Sequence, residues 1–263
     1  MANDPNQYQP PTPAAGAADR IRVVLVGTQH PGNIGAAARA MRTMGLERLA
    51  LVAPRHFPHP EAAAMAASAG EVLERASMHA DLAEAVADCR LVLGCTARDR
   101  RIALPQLAPR EAAGRAVRAA AEGEGEVALV FGRERTGLEN SELQLCHCAV
   151  HIPADPACSS LNLAAAVQVL AYEVRLALLD AGGDAQASAA PADRLASHAE
   201  LEGFFGQLHD TLDEIDFHKG RNPDAAMRKL RRIFLRTELR AGEVRLLRGV
   251  LADAQRMARL ARR

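Results

Sequence analysis

Five short apolar runs, each halted by a glycine, a proline or a polar turn, mark out the first two thirds of the chain. Residues 21–26 are β-branched and stop at Gly27; residues 49–52 and 90–95 follow; residues 127–131 stop at Gly132; residues 149–152 stop at Pro153. Continuous apolar runs of this length suit strands covered on both faces, the environment of a parallel sheet. Between them lie Ala-rich segments with helical spacing at 34–44, 61–69, 81–87, 110–121 and 162–179. Asn33 stands where the first of these needs an N-cap, and Gly45 closes it. Pro105 and Pro109 punctuate a loop before the 110–121 helix. The alternation predicts an α/β fold, a parallel sheet with helices on both faces.

Both ends of the chain read differently. Residues 1–19 are rich in Pro, Ala, Asn and Gln and carry almost no large apolar side chain, so a disordered lead-in is expected. The Ala/Gly/Asp/Ser/Pro tract at 180–193 reads as a linker, placed at 181–198 in the domain scheme. The expected layout is a main domain at 20–180 and an extension at 199–263 with three helices at 201–216, 223–235 and 238–260. With 3 % aromatics and no Trp, the core must be built from Ala, Leu and Val. The formal net charge is zero, which by itself selects neither nucleic acid nor membrane. Its distribution does more: residues 224–263 hold twelve Lys or Arg against four Asp or Glu. Five Cys at irregular spacing, with no signal peptide or long apolar span, point to a reduced, cytoplasmic setting.

Candidate chemistry collects at the ends of the apolar runs. Glycines there allow close backbone approach, and helix N-termini offer free N–H groups, the usual ligand edge of an open α/β sheet. Gly27, Gly32 and Gly35 follow a strand, but their G-x4-G-x2-G spacing is not the dinucleotide fingerprint, and no acidic residue ends the next strand at Val52. The segment also lacks the Gly-Lys-Ser/Thr of a phosphate loop. Cys146-His147-Cys148 has one residue between thiols and no second pair, so strand-edge packing fits it better than zinc. Arg39 falls among small apolar neighbours, where a guanidinium needs an anion, a carboxylate or a path to water. Glu134, between Arg133 and Arg135, reads as a site carboxylate or a surface cluster, and Ser159, Ser160 and Asn162 as site residues or helix caps.

Taken in order, Asn33-x5-Arg39, Phe131-Gly132-Arg133-Glu134-x2-Gly137-Leu138 and Ser160-Leu161-Asn162-Leu163 resemble the three motifs of the SPOUT superfamily of RNA 2′-O-methyltransferases. The resemblance covers about residues 21–179 and is closest to members acting at ribose 32 of the tRNA anticodon loop, on cytidine or uridine. It implies a sheet whose C-terminal part is tied in a deep trefoil knot, an exception to the rule against threaded chains. It implies S-adenosylmethionine held by Cys95, Thr96 and Ala97, by the loop opening at Gly132, and by Ile152, Ser159, Ser160 and Leu161. It also implies a homodimer with each site near the interface, and a catalytic set of Arg39, Asn33, Glu134, Ser160 and Asn162. No metal is called for, and no membrane.

In that superfamily the counterpart of Arg39 contacts RNA phosphate and is proposed to take the 2′-OH proton. Because a guanidinium with a pKa above ~12 is a poor base, Arg39 is read here as binding phosphate and steadying the developing alkoxide, with the proton passing to phosphate, water or a transiently neutral Arg39. The basic extension reads as a tRNA-binding unit through Arg228, Lys229, Arg231, Arg232 and Arg236, or as a solvated helical hairpin that helps dimerise. Those side chains fall on more than one helical face, so part of the charge serves solubility. Other readings are a related enzyme acting on another tRNA or rRNA site, a non-catalytic RNA-binding member of the fold, and, last, a nucleotide-dependent oxidoreductase.

Overall fold

A computed structural model of the chain describes residues 16–97, 104–122, 125–183, 194–220 and 222–261. Most of the expected lead-in and linker, and Arg98, lie outside these residues. Seven strands form one sheet: β1 (Ile21–Val26), β2 (Arg48–Val52), β3 (Ser77–His79), β4 (Cys89–Cys95), β5 (Gln106–Leu107), β6 (Glu126–Phe131) and β7 (Cys148–Val150). Every neighbouring pair is parallel, in the order β3-β2-β1-β6-β4-β7-β5. Ten helices accompany them among the described residues: α1 (Pro31–Thr43), α2 (Pro60–Ala66), α3 (Gly70–Glu74), α4 (Leu82–Ala85), α5 (Pro109–Ala121), α6 (Asn140–Leu143), α7 (Leu163–Gly183), α8 (His198–Glu214), α9 (Pro223–Arg236) and α10 (Ala241–Ala261).

The apolar runs are continuous because both faces of the sheet are covered. In β1, Ile21, Val23 and Leu25 join one core with α1, α2, α5 and α7. Val24 and Val26 join the other, with Leu82, Ala85, Leu138 and Leu143. β6 divides the same way, Val127, Leu129 and Phe131 to the first core and Ala128 and Val130 to the second. Alternate side chains of one strand thus serve two cores, the arrangement expected of a central parallel strand.

Several boundaries differ from the sequence reading. α1 begins at Pro31 with His30 as N-cap, so Asn33 lies inside its first turn. Proline is pre-organised for the first helical position, which moves the start two residues upstream and frees the Asn33 side chain for tertiary contacts. β3 and β5 were absent from the sequence reading because two or three residues cannot display alternation. β7 closes at Val150, earlier than residue 152, and α7 runs past residue 179 to Gly183. The helix expected over 81–87 is the single turn α4, capped by Asp81. Ala17 is buried and residues Ala18–Arg20 form a short 3-10 turn, so the described part of the expected lead-in is folded.

Helices α8 to α10 enclose a third core of Leu201, Phe204, Phe205, Leu208, Leu235 and Val244. This bundle sits where β4 begins: Ala199 N donates to Ala87 O at 3.0 Å, and Arg115 on α5 pairs with Glu238 at 2.5 Å. The opposite, C-terminal ends of the strands are left for the loops.

Candidate functional site

Three loops leave the C-terminal ends of β4, β6 and β7 and enclose a cavity of about 340 Å³, within the usual range for a small-molecule site. Its wall includes Cys95, Thr96 and Ala97 from the first loop, Gly132 and Glu134 from the second, and Ile152, Ser159, Ser160 and Leu161 from the third. All eight residues expected to hold a cofactor therefore border one space. Phe131, Arg133, Arg135, Thr136, Leu163 and Ala166 border it too. These were not assigned from sequence, although all but Ala166 lie within the spans of the quoted motifs.

The β6 loop is a tight turn. Arg133 N donates to Gly137 O at 3.2 Å and Gly137 N to Arg133 O at 2.8 Å, with Gly137 at φ +67°. A Cβ on Gly132 would lie 2.1 Å from the carbonyl carbon of Gly137, so no side chain fits there. The first and third loops are joined by Thr96 N donating to Val150 O at 3.0 Å. Burial pushes the Cys95 thiol up to about 12, so it lines the wall as a neutral group.

One hydrogen-bonded chain links the three motifs. The Glu134 carboxylate accepts from Gln29 N and His30 N at 3.1 Å each and from Asn33 Nδ2 at 3.0 Å. Asn33 Oδ1 accepts from Asn162 Nδ2 at 3.0 Å, and Asn162 Oδ1 accepts from Ala164 N at 2.9 Å, capping α7. Glu134, a hundred residues away in sequence, supplies the anion that the start of α1 favours, where His30 offers no side-chain cap. Burial pulls its pKa upward, but the hydrogen bonds from Asn33, Gln29 and His30 outweigh this and hold it below the usual carboxylate range. The cavity thus keeps an ionised carboxylate at neutral pH.

Two sets of expected residues stand elsewhere. Arg39 is exposed and is not among the residues bordering the cavity of its own chain. Six residues past Asn33 on a helix is most of two turns, which turns its side chain to a different face. On α9, Arg228, Lys229 and Arg236 are exposed and Arg232 is half-buried. Arg231 instead pairs with Glu202 at 2.5 Å and lies 4.5 Å from the centre of the Phe205 ring. It holds the bundle together. Cys146, His147 and Cys148 are packing residues: Cys146 is fully buried, His147 Nδ1 accepts from Val92 N at 3.0 Å, and Cys148 opens β7. All five cysteines are free.

A parallel sheet, a first helix capped by an anion, a glycine turn and a loop with paired serines thus meet around one cavity. Residues 20–172 match the model of the SpoU rRNA Methylase family, and the chain belongs to that family. It is a methyltransferase. Residues 199–263 match the model of the C-terminal domain of the tRNA methyltransferase TrmJ. The tRNA (cytidine/uridine/adenosine-2′-O-)-methyltransferase TrmJ of Pseudomonas aeruginosa is 49 % identical over 92 % of this chain and 96 % of its own length. The tRNA (cytidine/uridine-2′-O-)-methyltransferase TrmJ of Pectobacterium atrosepticum is 46 % identical over 90 % of this chain and 98 % of its own. The crystal structure of TrmJ from Z. mobilis ZM4 superposes with a TM-score of 0.74 at 36 % identity, covering 88 % of this chain and 97 % of that one.

Proposed function

We propose that the chain transfers a methyl group from S-adenosylmethionine to the ribose 2′-OH of cytidine or uridine at position 32 of the tRNA anticodon loop. The observation that carries this reading is the linked Glu134–Asn33–Asn162 network beside a single cavity bordered by all three loops. The relatives that match nearly the whole chain are named as 2′-O-methyltransferases of tRNA.

The residues present suit the donor. Phe131, Ile152, Leu161, Leu163 and Ala166 give an apolar wall for a nucleobase, and the ionised Glu134 offsets a cationic sulfonium. When bound, S-adenosylmethionine supplies an electrophilic methyl group on a leaving group that departs neutral. Cys95, Thr96, Ala97, Gly132, Ile152, Ser159, Ser160 and Leu161 are the residues that would hold it.

The protein's task is with the nucleophile. A ribose hydroxyl is poorly ionised at neutral pH, so most of the acceleration must come from positioning, worth ~7–11 kcal/mol when geometry is fixed. Asn33 and Asn162 do not border the cavity themselves; with both amide ends committed, they hold Glu134, which does, from rotating. Ser160 offers a hydroxyl to the ribose. Arg39 is exposed and does not border its own cavity, and its proposed role is to bind phosphate and stabilise a developing alkoxide in the site of a second copy. The active species is accordingly a homodimer with its sites at the interface. No metal enters the scheme.

The finer architecture belongs to the same proposal: a trefoil knot through the C-terminal half of the sheet, supported by β6 lying between β1 and β4 and β7 between β4 and β5. Because α7 runs to Gly183 and α8 starts at His198, the expected linker narrows to residues 184–197, with the catalytic domain before it and after it a tRNA-binding extension acting through Arg228, Lys229, Arg232 and Arg236. No described helix is long and apolar enough to cross a membrane, and we place the enzyme with its tRNA substrate in the cytoplasm.

The test is incubation of unmodified tRNA and rRNA transcripts with methyl-labelled S-adenosylmethionine, followed by nucleoside mapping. Label in 2′-O-methylcytidine or 2′-O-methyluridine at position 32 of tRNA is the expected result. Label confined to rRNA, or to another tRNA position, would overturn the assignment.

A further inference from the structure

We propose that Arg133 is a positioning residue for methyl transfer, a clamp that fixes the glycine turn after β6 against the cofactor cavity. The inference rests on the S-adenosylmethionine reading above and adds a residue that the reading leaves without a role.

The geometry of the clamp is two-sided. Arg133 Nη1 donates to both carboxylate oxygens of Glu142, at 2.9 and 3.0 Å, and Nη2 lies 3.5 Å from Glu139. Glu142 is itself tied down, because its Oε2 accepts from Glu139 N at 2.6 Å in the first turn of α6. The pair is largely shielded, with side-chain exposures of 26 % and 13 %, where a charge-assisted contact of this geometry is strong. The arginine stem also crosses the end of β1: a Cβ on Gly27 would lie 2.7 Å from Arg133 Nε and 2.9 Å from its Cγ.

The backbone of the same residue closes the turn with Gly137, and the next residue, Glu134, is held by the start of α1. The turn is therefore pinned to α6 and β1 by one side chain and to α1 by its neighbour. Behind it lies a second hollow of about 280 Å³, bordered by Val26, Val52, Leu82, Leu145 and Arg133. With Arg133 unclamped, the turn has room to shift into that hollow, carrying Gly132 away from Thr96 and Ala97.

The experiment compares full-length wild type with Arg133→Gln, Glu142→Gln and the double variant. It measures the dissociation constant of S-adenosylmethionine by calorimetry, kcat and KM on tRNA, and thermal stability. Each single variant is expected to weaken S-adenosylmethionine binding at least tenfold and to lower kcat, with KM for tRNA within twofold of wild type. The double variant is expected to be no worse than the poorer single, since one contact is being removed. Glu142→Gln carries the test if Arg133→Gln does not fold. Donor affinity within twofold of wild type in a folded variant would overturn the clamp while leaving the cofactor reading intact. Failure of wild type itself to bind S-adenosylmethionine would overturn both.

Discussion

The two edges of the sheet solve the same electrostatic problem in opposite ways. Where the strands begin, charge is matched with charge. Arg22 on β1, only 8 % exposed, reaches both oxygens of Asp88 at 3.0 and 2.8 Å and Ala85 O at 2.7 Å, while Arg48 pairs with Glu126. The helical bundle then closes over this end through the Arg115–Glu238 pair. Where the strands end, the half-buried carboxylate of Glu134 is satisfied by two backbone N–H groups and the amide of Asn33. A carboxylate held by dipoles keeps its charge yet leaves its field available to an incoming cation. Where the strands begin, ion pairs hold sheet and bundle together; where they end, the Arg133–Glu142 pair braces the turn from behind while Glu134, held by amides, borders the cavity.

The comparison is sharpened most by breaking the first edge. Arg22→Ala removes a buried guanidinium that bonds Asp88 and Ala85 O, while Glu126 keeps Arg48, and is expected to cost about 1.5–3 kcal/mol in chemical denaturation, the usual worth of hydrogen bonds to a charged group. Donor affinity of the folded fraction should be unchanged. At the second edge, Asn33→Ala removes the amide that joins Glu134 to Asn162. With hydrogen bonds to charged groups worth ~1.5–3 kcal/mol, methyl transfer should fall roughly 10- to 100-fold while the denaturation midpoint moves little.

Acidification separates the edges by another route. Burial pushes the pKa of His147 down to about 3, helped by the neighbouring His198 and then by Arg115, and burial with Arg231 pushes that of His198 down to about 4. Both rings pack at the seam between sheet and bundle, with Arg231, Arg115 and Glu202 as their charged neighbours. A neutral ring in the folded state and an ordinary one in the unfolded chain mean stability that is complete above about pH 6.5 and declines as pH falls toward 4. At pH 5 each histidine should cost about 1–2 kcal/mol relative to pH 7. Stability measured against pH for His198→Phe should show a shallower decline than wild type; an identical slope would remove His198 from the account. The smallest effect belongs to α9, where replacing Arg228, Lys229 or Arg236 by Ala should each reduce the salt dependence of tRNA binding by about one counterion. Arg231→Ala should instead lower stability through the lost Glu202 and Phe205 contacts.

How much of this could be read from the chain depended on what each residue answers to. β1 and β6 were visible because burial on two faces leaves an unbroken apolar run, and α8 to α10 because their periodicity is local. β3 and β5 were not, since edge strands of two or three residues owe their form to a neighbour's hydrogen bonds. The motif residues were found as three separate groups, yet the partners of Glu134 are backbone groups of Gln29 and His30, which no side-chain pattern announces. Asn33 was misplaced as a cap because Pro31 sets the helix start. Arg39 looked enclosed among alanines, but helical rotation turns it outward, and Arg231 looked like one more basic residue until Glu202 and Phe205 were brought against it.

The central claim is that the glycine turn after β6 forms one wall of an S-adenosylmethionine site. Calorimetric titration of S-adenosylmethionine into wild type and Gly132→Ala tests it most directly, because the added methyl would meet the backbone of Gly137 and Leu138. The account predicts one donor molecule per chain for wild type and at least a 100-fold loss of affinity for the variant, with the denaturation midpoint of the bundle unchanged. Wild-type affinity in a folded Gly132→Ala protein would contradict it.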